Sequence, residues 1–281
     1  MSAPTPLGLI AGNGMLPYRI IENLKKSERA VFALGISGEV ADEVSANMDA
    51  WVGIGQLQLA RDLMQEAGVR DVVIVGSVQR PNLTTLELDE GGLWVVERAL
   101  SQTQLGDNAL LTHVLDYFEA QGFTIVSAAD LLSKVSPLRG LLTEAKMDPH
   151  RQDMVRAVSI AGHIGALDIG QAAIVARGIV LGVESVEGTD AMLARVGELS
   201  EEVRGTPDAR AGVLAKIPKP QQDRRIDLPA LGPQTIAGAA RAGLAGIVFE
   251  SDGVLFEAPD ACIEQANRAG LFLYGLTPEE L

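Results

Sequence analysis

Short apolar runs alternate with helix-spaced apolar positions along the first half of the chain. Leu7–Ala11 reads as a buried strand that ends in Gly12-Asn13-Gly14, and a helix is expected from Pro17 to Lys26. Ala30–Leu34 and Trp51–Ile54 read as further strands. Over Gln56–Ala67 the spacing of Leu59, Leu63 and Met64 predicts a helix, with Gly68 as a stop signal just beyond it. Asp71–Val75 is the clearest strand, because Val72, Val73, Ile74 and Val75 can be buried on both faces at once. Helices over Leu93–Gln102 and Asn108–Gln121, then a strand over Thr124–Ser127, continue the alternation.

Ser133–Pro137 interrupts this pattern, and a different regime follows. Asp153–Gly162 reads as a helix, and Gln171–Ala176 with Ile179–Glu184 reads as a hairpin turning at Arg177-Gly178. Asp190–Leu199 carries Met192, Leu193, Val196 and Leu199 on one helical side. An extended, proline-rich and charged segment runs from Lys216 to Pro229. A helix (Gln234–Ala242), a strand (Gly246–Glu250), a helix (Pro259–Ala269) and a strand (Leu271–Tyr274) close the sequence. The order predicts an α/β protein of two domains. Residues 1–134 form an N-terminal Rossmann-like domain, a mostly parallel sheet flanked by helices. Residues 135–281 form a C-terminal mixed α/β domain that carries the charged strip. Ligand sites favour domain interfaces, so two aliphatic-rich lobes could supply an apolar cleft between them.

Composition changes this picture little but narrows the chemistry. Apolar residues make up 47% of the 281 and aromatics only 4%, so the core is aliphatic. The single cysteine, Cys262, excludes a disulfide framework and a multi-thiolate zinc site, which suits a reducing, cytoplasmic setting. A net charge of −14 argues against non-specific nucleic-acid binding. A phosphate-bearing substrate then needs local cations, helix N-termini or a metal ion. Met1–Pro6 lacks the basic start of a signal peptide, and no stretch approaches the roughly 18 apolar residues of a membrane span.

Four polar blocks are candidates for chemistry. Gly12, Asn13 and Gly14 stand where a strand hands over to a helix, so they form either a tight turn or a ligand contact. The dinucleotide fingerprint is incomplete there: Pro17 takes the place of its third small residue, and no acidic residue closes the second strand. A nucleotide-binding oxidoreductase is therefore the weaker alternative. Asp107 and Asn108 open an amphipathic helix, where Asp107 suits an N-cap. Glu187-Gly188-Thr189-Asp190 precedes another helix; Thr189 can cap it, and the two carboxylates suit a phosphate carried with Mg²⁺. The strip from Lys216 to Asp227 crowds Lys216, Lys219, Gln222, Asp223, Arg224, Arg225 and Asp227 beside Pro218 and Pro220. It reads either as a salt-bridged loop or as paired carboxylates, Asp223 and Asp227, that hold a metal or orient water while lysine and arginine neutralise phosphate oxygens.

No Walker A pattern, Gly-x-Ser-x-Gly elbow or His-Glu-x-x-His occurs, and the histidines His113, His150 and His163 are scattered. Oxygen ligands such as Asp223, Asp227 and Asp190 therefore favour Mg²⁺, with Mn²⁺ as substitute, over zinc. Leu7–Gly14, Gly106-Asp107-Asn108, Asp168-Ile169-Gly170-Gln171, Glu187–Asp190 and Lys219–Arg224 together resemble the LpxI family, in its order and over nearly the whole chain. The resemblance implies a UDP-2,3-diacylglucosamine pyrophosphatase of lipid A biosynthesis, acting with Mg²⁺ to give UMP and 2,3-diacylglucosamine 1-phosphate (lipid X). It implies a homodimer of two-domain subunits, with the lipid held between the domains and peripheral contact with the inner membrane through the substrate. It carries the essential aspartate to Asp223, with Asp227 second. Substrate contacts fall to Gly12, Asn13, Gly14, Asp107, Asn108, Gln171, Gly188, Thr189, Lys216, Lys219, Gln222 and Arg224. A non-catalytic lipid or nucleotide carrier is the remaining alternative.

Overall fold

The computed structural model describes residues 5–27, 29–79, 86–101, 107–132, 138–225 and 228–280, with side chains for all of these except 107–109 and 278. The chain divides into a unit of Met1–Val135 and a unit of Ser136–Leu281.

The first unit runs β1 (Leu7–Ala11), α1 (Leu16–Lys26), β2 (Val31–Ile36), α2 (Asp42–Ser45), β3 (Ala50–Val52), α3 (Leu57–Glu66) and β4 (Asp71–Val75). It continues with α4 (Glu90–Ser101), α5 (Asp107–Ala120), β5 (Thr124–Ile125) and α6 (Ala128–Leu132). Its sheet is parallel throughout, in the order β3-β2-β1-β4-β5, as in doubly wound folds. Helices cover such a sheet on both faces, and β1 at its centre is accordingly buried at every residue. Each large aliphatic side chain buried this way contributes about 1.5–3 kcal/mol. Helix α1 buries Leu16, Ile20, Ile21 and Leu24, a 3–4 spacing that puts all four on one side. Helix α3 forms where predicted but turns a different face inward. Ala60 and Met64, four apart on one side of the helix, are its buried residues, and Leu59 is exposed.

The second unit runs β6 (Gly140–Leu141), α7 (Arg151–Ala166), β7 (Ala172–Ala176), β8 (Ile179–Val183), α8 (Gly188–Gly197), β9 (Val213–Lys216) and β10 (Ala230–Leu231). Then follow α9 (Pro233–Arg241), β11 (Gly246–Glu250), β12 (Leu255–Phe256), α10 (Pro259–Ala269) and β13 (Phe272–Leu276). The main sheet has the order β6-β13-β11-β9-β7-β8. Its centre, β13-β11-β9, is parallel, while β6 and the β7–β8 hairpin are antiparallel. Strand residues alternate between two cores. Ile174, Leu214, Ile247, Phe249 and Leu273 join Met192, Leu193, Ile236 and Cys262 of α8, α9 and α10. Ala173, Val175, Val213, Ala215, Val248 and Phe272 join Met154, Ala157 and Ala161 of α7.

The hairpin turns at Arg177-Gly178, as expected. Both residues have positive φ, 50° and 75°, the requirement of a tight two-residue hairpin turn. Asp153 fixes the turn by accepting both N–H groups, at 2.8 and 2.7 Å. Strand β9 was not expected from the sequence. Among the described residues no helix is long and apolar enough to cross a membrane.

Candidate functional site at the carboxyl end of the second sheet

Ligands of open α/β sheets bind outside the carboxyl ends of the parallel strands. In the second unit, β9 ends there in Lys216 and β11 in Glu250. The antiparallel hairpin brings the residue before β7, Gln171, and the residue after β8, Glu184, to the same end, since Ala172 is paired with Lys216. Strand alternation sends Lys216 to the α8–α9 side of the sheet and Glu250 to the α7 side.

On the α8 side lies a buried polar line. Lys216, 6% exposed, donates to Thr189 Oγ1 at 2.9 Å and to the Ala230 carbonyl at 2.8 Å. Thr189 Oγ1 in turn donates to Glu184 Oε1 at 2.6 Å. The second carboxylate oxygen of Glu184 accepts the Gln171 N–H at 3.0 Å. Burial pulls the Lys216 ammonium below the ordinary lysine range, and the nearby carboxylates of Glu184, Asp190 and Glu257 act the other way. Thr189 is therefore not the helix cap that its position suggests. Helix α8 begins at Gly188 without a side-chain cap, because the Thr189 hydroxyl is drawn inward between an ammonium and a carboxylate. Gly188 itself has φ 80°, a conformation that favours glycine and turns the chain into the helix.

On the α7 side, residues 217–225 follow β9 as a chain of turns, as Pro218 and Pro220 require. Lys219 reaches Asp168 at 2.8 Å, and Gln221 donates to the Gly165 carbonyl of α7 at 2.9 Å. Gln222 closes the first turn by accepting the Lys219 N–H at 2.7 Å, and its amide nitrogen donates to Gln171 Oε1 at 3.3 Å. Asp223 accepts the Arg225 N–H and Nε at 3.0 Å and Nη2 at 2.6 Å. The Arg225 guanidinium thereby holds its carboxyl below the ordinary aspartate range, so Asp223 is ionised at neutral pH. Arg224 forks onto both oxygens of the buried Glu250. Turn 250–253 stays tight beneath it: a Cβ at Gly253 would lie 2.6 Å from Pro218 and 2.8 Å from the Glu250 carboxyl carbon.

Gln171, Thr189, Lys216, Lys219, Gln222, Asp223 and Arg224 thus gather at one end of one sheet. Asp190 lies on the first turn of α8 and accepts from Thr235 Oγ1 at 3.3 Å. Asp227 lies outside the described residues. Helix α5 is described from Asp107 onward, and the side chains of Asp107 and Asn108 lie outside the description, as does Gly106. Gly12, Asn13 and Gly14 belong to the first unit, at the carboxyl end of β1. There the Gly12 and Asn13 N–H groups go to the Val75 and Ser77 carbonyls at 2.9 and 2.7 Å, and a Cβ at Gly12 would lie 2.5 Å from the Ser77 oxygen. That glycine is explained by backbone packing.

Glu184, Glu250, Glu257 and Asp168 were not singled out as site residues from the sequence. Glu184 and Glu250 stand at strand ends, where only sheet closure shows their partners; Asp168, with φ 56°, had as its one signal its place in the Asp168-Ile169-Gly170-Gln171 block. Among the described residues no three His, Cys, Asp or Glu side chains cluster as a metal cage. Mg²⁺ takes one or two carboxylates plus substrate phosphates, and the carboxylate oxygens of Asp223 are donors of that type.

Two family models match the chain, the LpxI N-terminal domain over residues 6–135 and the LpxI C-terminal domain over residues 138–274. A curated relative, UDP-2,3-diacylglucosamine pyrophosphatase LpxI of Caulobacter vibrioides, is 42% identical over 275 residues, 98% of this chain and 98% of its own.

Proposed function

This chain belongs to the LpxI family, and from that premise we propose that it hydrolyses the pyrophosphate bond of UDP-2,3-diacylglucosamine, releasing UMP and 2,3-diacylglucosamine 1-phosphate for lipid A synthesis. The observation that carries the reading is the 42% identity, over almost the full length of both chains, to a pyrophosphatase of that specificity. The carboxyl end of the second sheet supports it with suitable groups. Asp223 offers an ionised carboxylate, and Lys219 and Arg224 bring positive charge to a chain whose net charge is −14.

Asp223 is the group proposed to act on the reacting diphosphate, and Asp227 shares the assignment. Water attacks one phosphorus while the bridging oxygen leaves with the other. Positive charge around the equatorial oxygens lowers the barrier more than any covalent assistance. Mg²⁺, or Mn²⁺ in its place, is the proposed cofactor, held by Asp223 with Asp190 or Asp227, and when bound it neutralises diphosphate charge. Arg225 keeps Asp223 deprotonated, and Glu250 aims Arg224.

Purified protein incubated with UDP-2,3-diacylglucosamine and Mg²⁺ is expected to release UMP and the lipid monophosphate, and EDTA is expected to stop the release. Intact substrate after incubation with either Mg²⁺ or Mn²⁺ would reject the proposal.

A further inference from the structure

The line from Lys216 to Gln222 has a fixed direction. An ammonium can only donate and an ionised carboxylate can only accept. The Thr189 hydroxyl between Lys216 and Glu184 must therefore accept from the first and donate to the second. Glu184, 5% exposed, then has one oxygen committed to Thr189 and the other to the Gln171 N–H. Gln171 passes the constraint on, since its side-chain oxygen receives Gln222, the neighbour of Asp223. The line begins under α8 and ends in the turns on the α7 side, rounding the carboxyl end of the sheet.

Nothing in the two cores needs this line. Both are filled by aliphatic and aromatic side chains from the strands and from α7, α8, α9 and α10. Buried charges are a poor way to stabilise a fold, since apolar groups of similar volume do as well or better. They are good at fixing geometry, because a half-satisfied buried network is costly and so admits one arrangement. The backbone around Glu184 is equally constrained: a Cβ at Gly170 would lie 2.2 Å from the Glu184 carbonyl oxygen.

We propose that Glu184 is a positioning residue for the hydrolytic site: through Thr189 and Gln171, with Lys216 as its buried counter-charge, it fixes Gln222 and so the aim of Asp223. This rests on the function proposed above for the same site. Glu184 touches no reacting group and acts through others.

The test uses the full chain with Glu184→Gln, Thr189→Val and Thr189→Ser. An amide at 184 offers one acceptor where two donors point, and valine removes the hydroxyl, whereas serine keeps it. Both disrupting variants are expected to melt cooperatively. Their kcat for UMP release should fall about ten- to a hundredfold with KM within about threefold, as for a sub-ångström to ångström misplacement. Thr189→Ser, which keeps the hydroxyl in the line, should recover most of the kcat that Thr189→Val loses. Amide exchange over residues 219–225 should quicken in Glu184→Gln while α7 and α9 stay protected, a readout that needs no turnover. Unchanged kcat with unchanged exchange would overturn the proposal. So would a loss confined to KM, or loss of cooperative melting in both disrupting variants, which would assign Glu184 to the fold alone. Wild-type protein that releases no UMP sinks the functional reading instead; the exchange experiment then still decides the link from Glu184 to the loop.

Discussion

Each unit brings polar residues to the carboxyl end of its parallel strands, but by different means. After β1 of the first unit, backbone meets backbone. Asn13 and Ser77 exchange N–H···O bonds at 2.7 and 3.0 Å, and Gly12 and Gly76 are glycines because the two turns touch. After β9 and β11 of the second unit, side chains make the contacts: Lys216, Thr189, Glu184, Gln171 and Gln222 form one line, Arg225 holds Asp223, and Glu250 holds Arg224. The glycine-rich turn reads in sequence as a tight turn or a ligand contact, and packing alone explains Gly12 and Gly76. The charged strip looks like a solvated loop, yet it is anchored by a buried glutamate and a buried lysine.

Asp223→Asn should show the largest effect, because asparagine keeps the size and loses the charge. UMP release should fall about a hundred- to a thousandfold, with the melting temperature close to wild type. Full activity would remove Asp223 from the chemistry. Gly12→Ala comes next and tests the other side of the comparison. A methyl 2.5 Å from a carbonyl oxygen forces the turns apart, and the expected cost is about 1–3 kcal/mol in a urea titration. A variant as stable as wild type would show that packing does not require this glycine.

Lys216→Met should have a more specific effect of similar size, about 1–3 kcal/mol, by leaving Thr189 and the Ala230 carbonyl without their donor. Its pH dependence sharpens the point. Lys216 titrates below its unfolded value of about 10.4, so between the two values the unfolded chain binds more protons. Stability from this group therefore rises with pH across that window in wild type, and that rise should vanish in Lys216→Met.

Much of the fold was legible because local signals agreed with it. Strand β11 and helix α10 have the bounds their sequences predict; Pro259 stands in the first turn of α10, and Gly270 closes it with φ 67°. Strand β9 was missed because its four residues end in a lysine, and a lysine beside prolines reads as loop. Only the sheet shows that Lys216 is buried. Strands β6, β10 and β12, two residues each, exist through their partners and carry no periodic signal. The site was legible in its parts, since Gln171, Thr189, Lys216 and Asp223 were all singled out. Their roles were not: Thr189 has the local pattern of a cap, and Glu184 stands five residues before it with nothing nearby in sequence to mark it.

The most direct measurement is a crystal structure of Asp223→Asn with UDP-2,3-diacylglucosamine bound. The diphosphate should lie beside position 223 at the carboxyl end of β9 and β11. A diphosphate bound far from that position, with both phosphorus atoms out of reach of its side chain, would contradict the account.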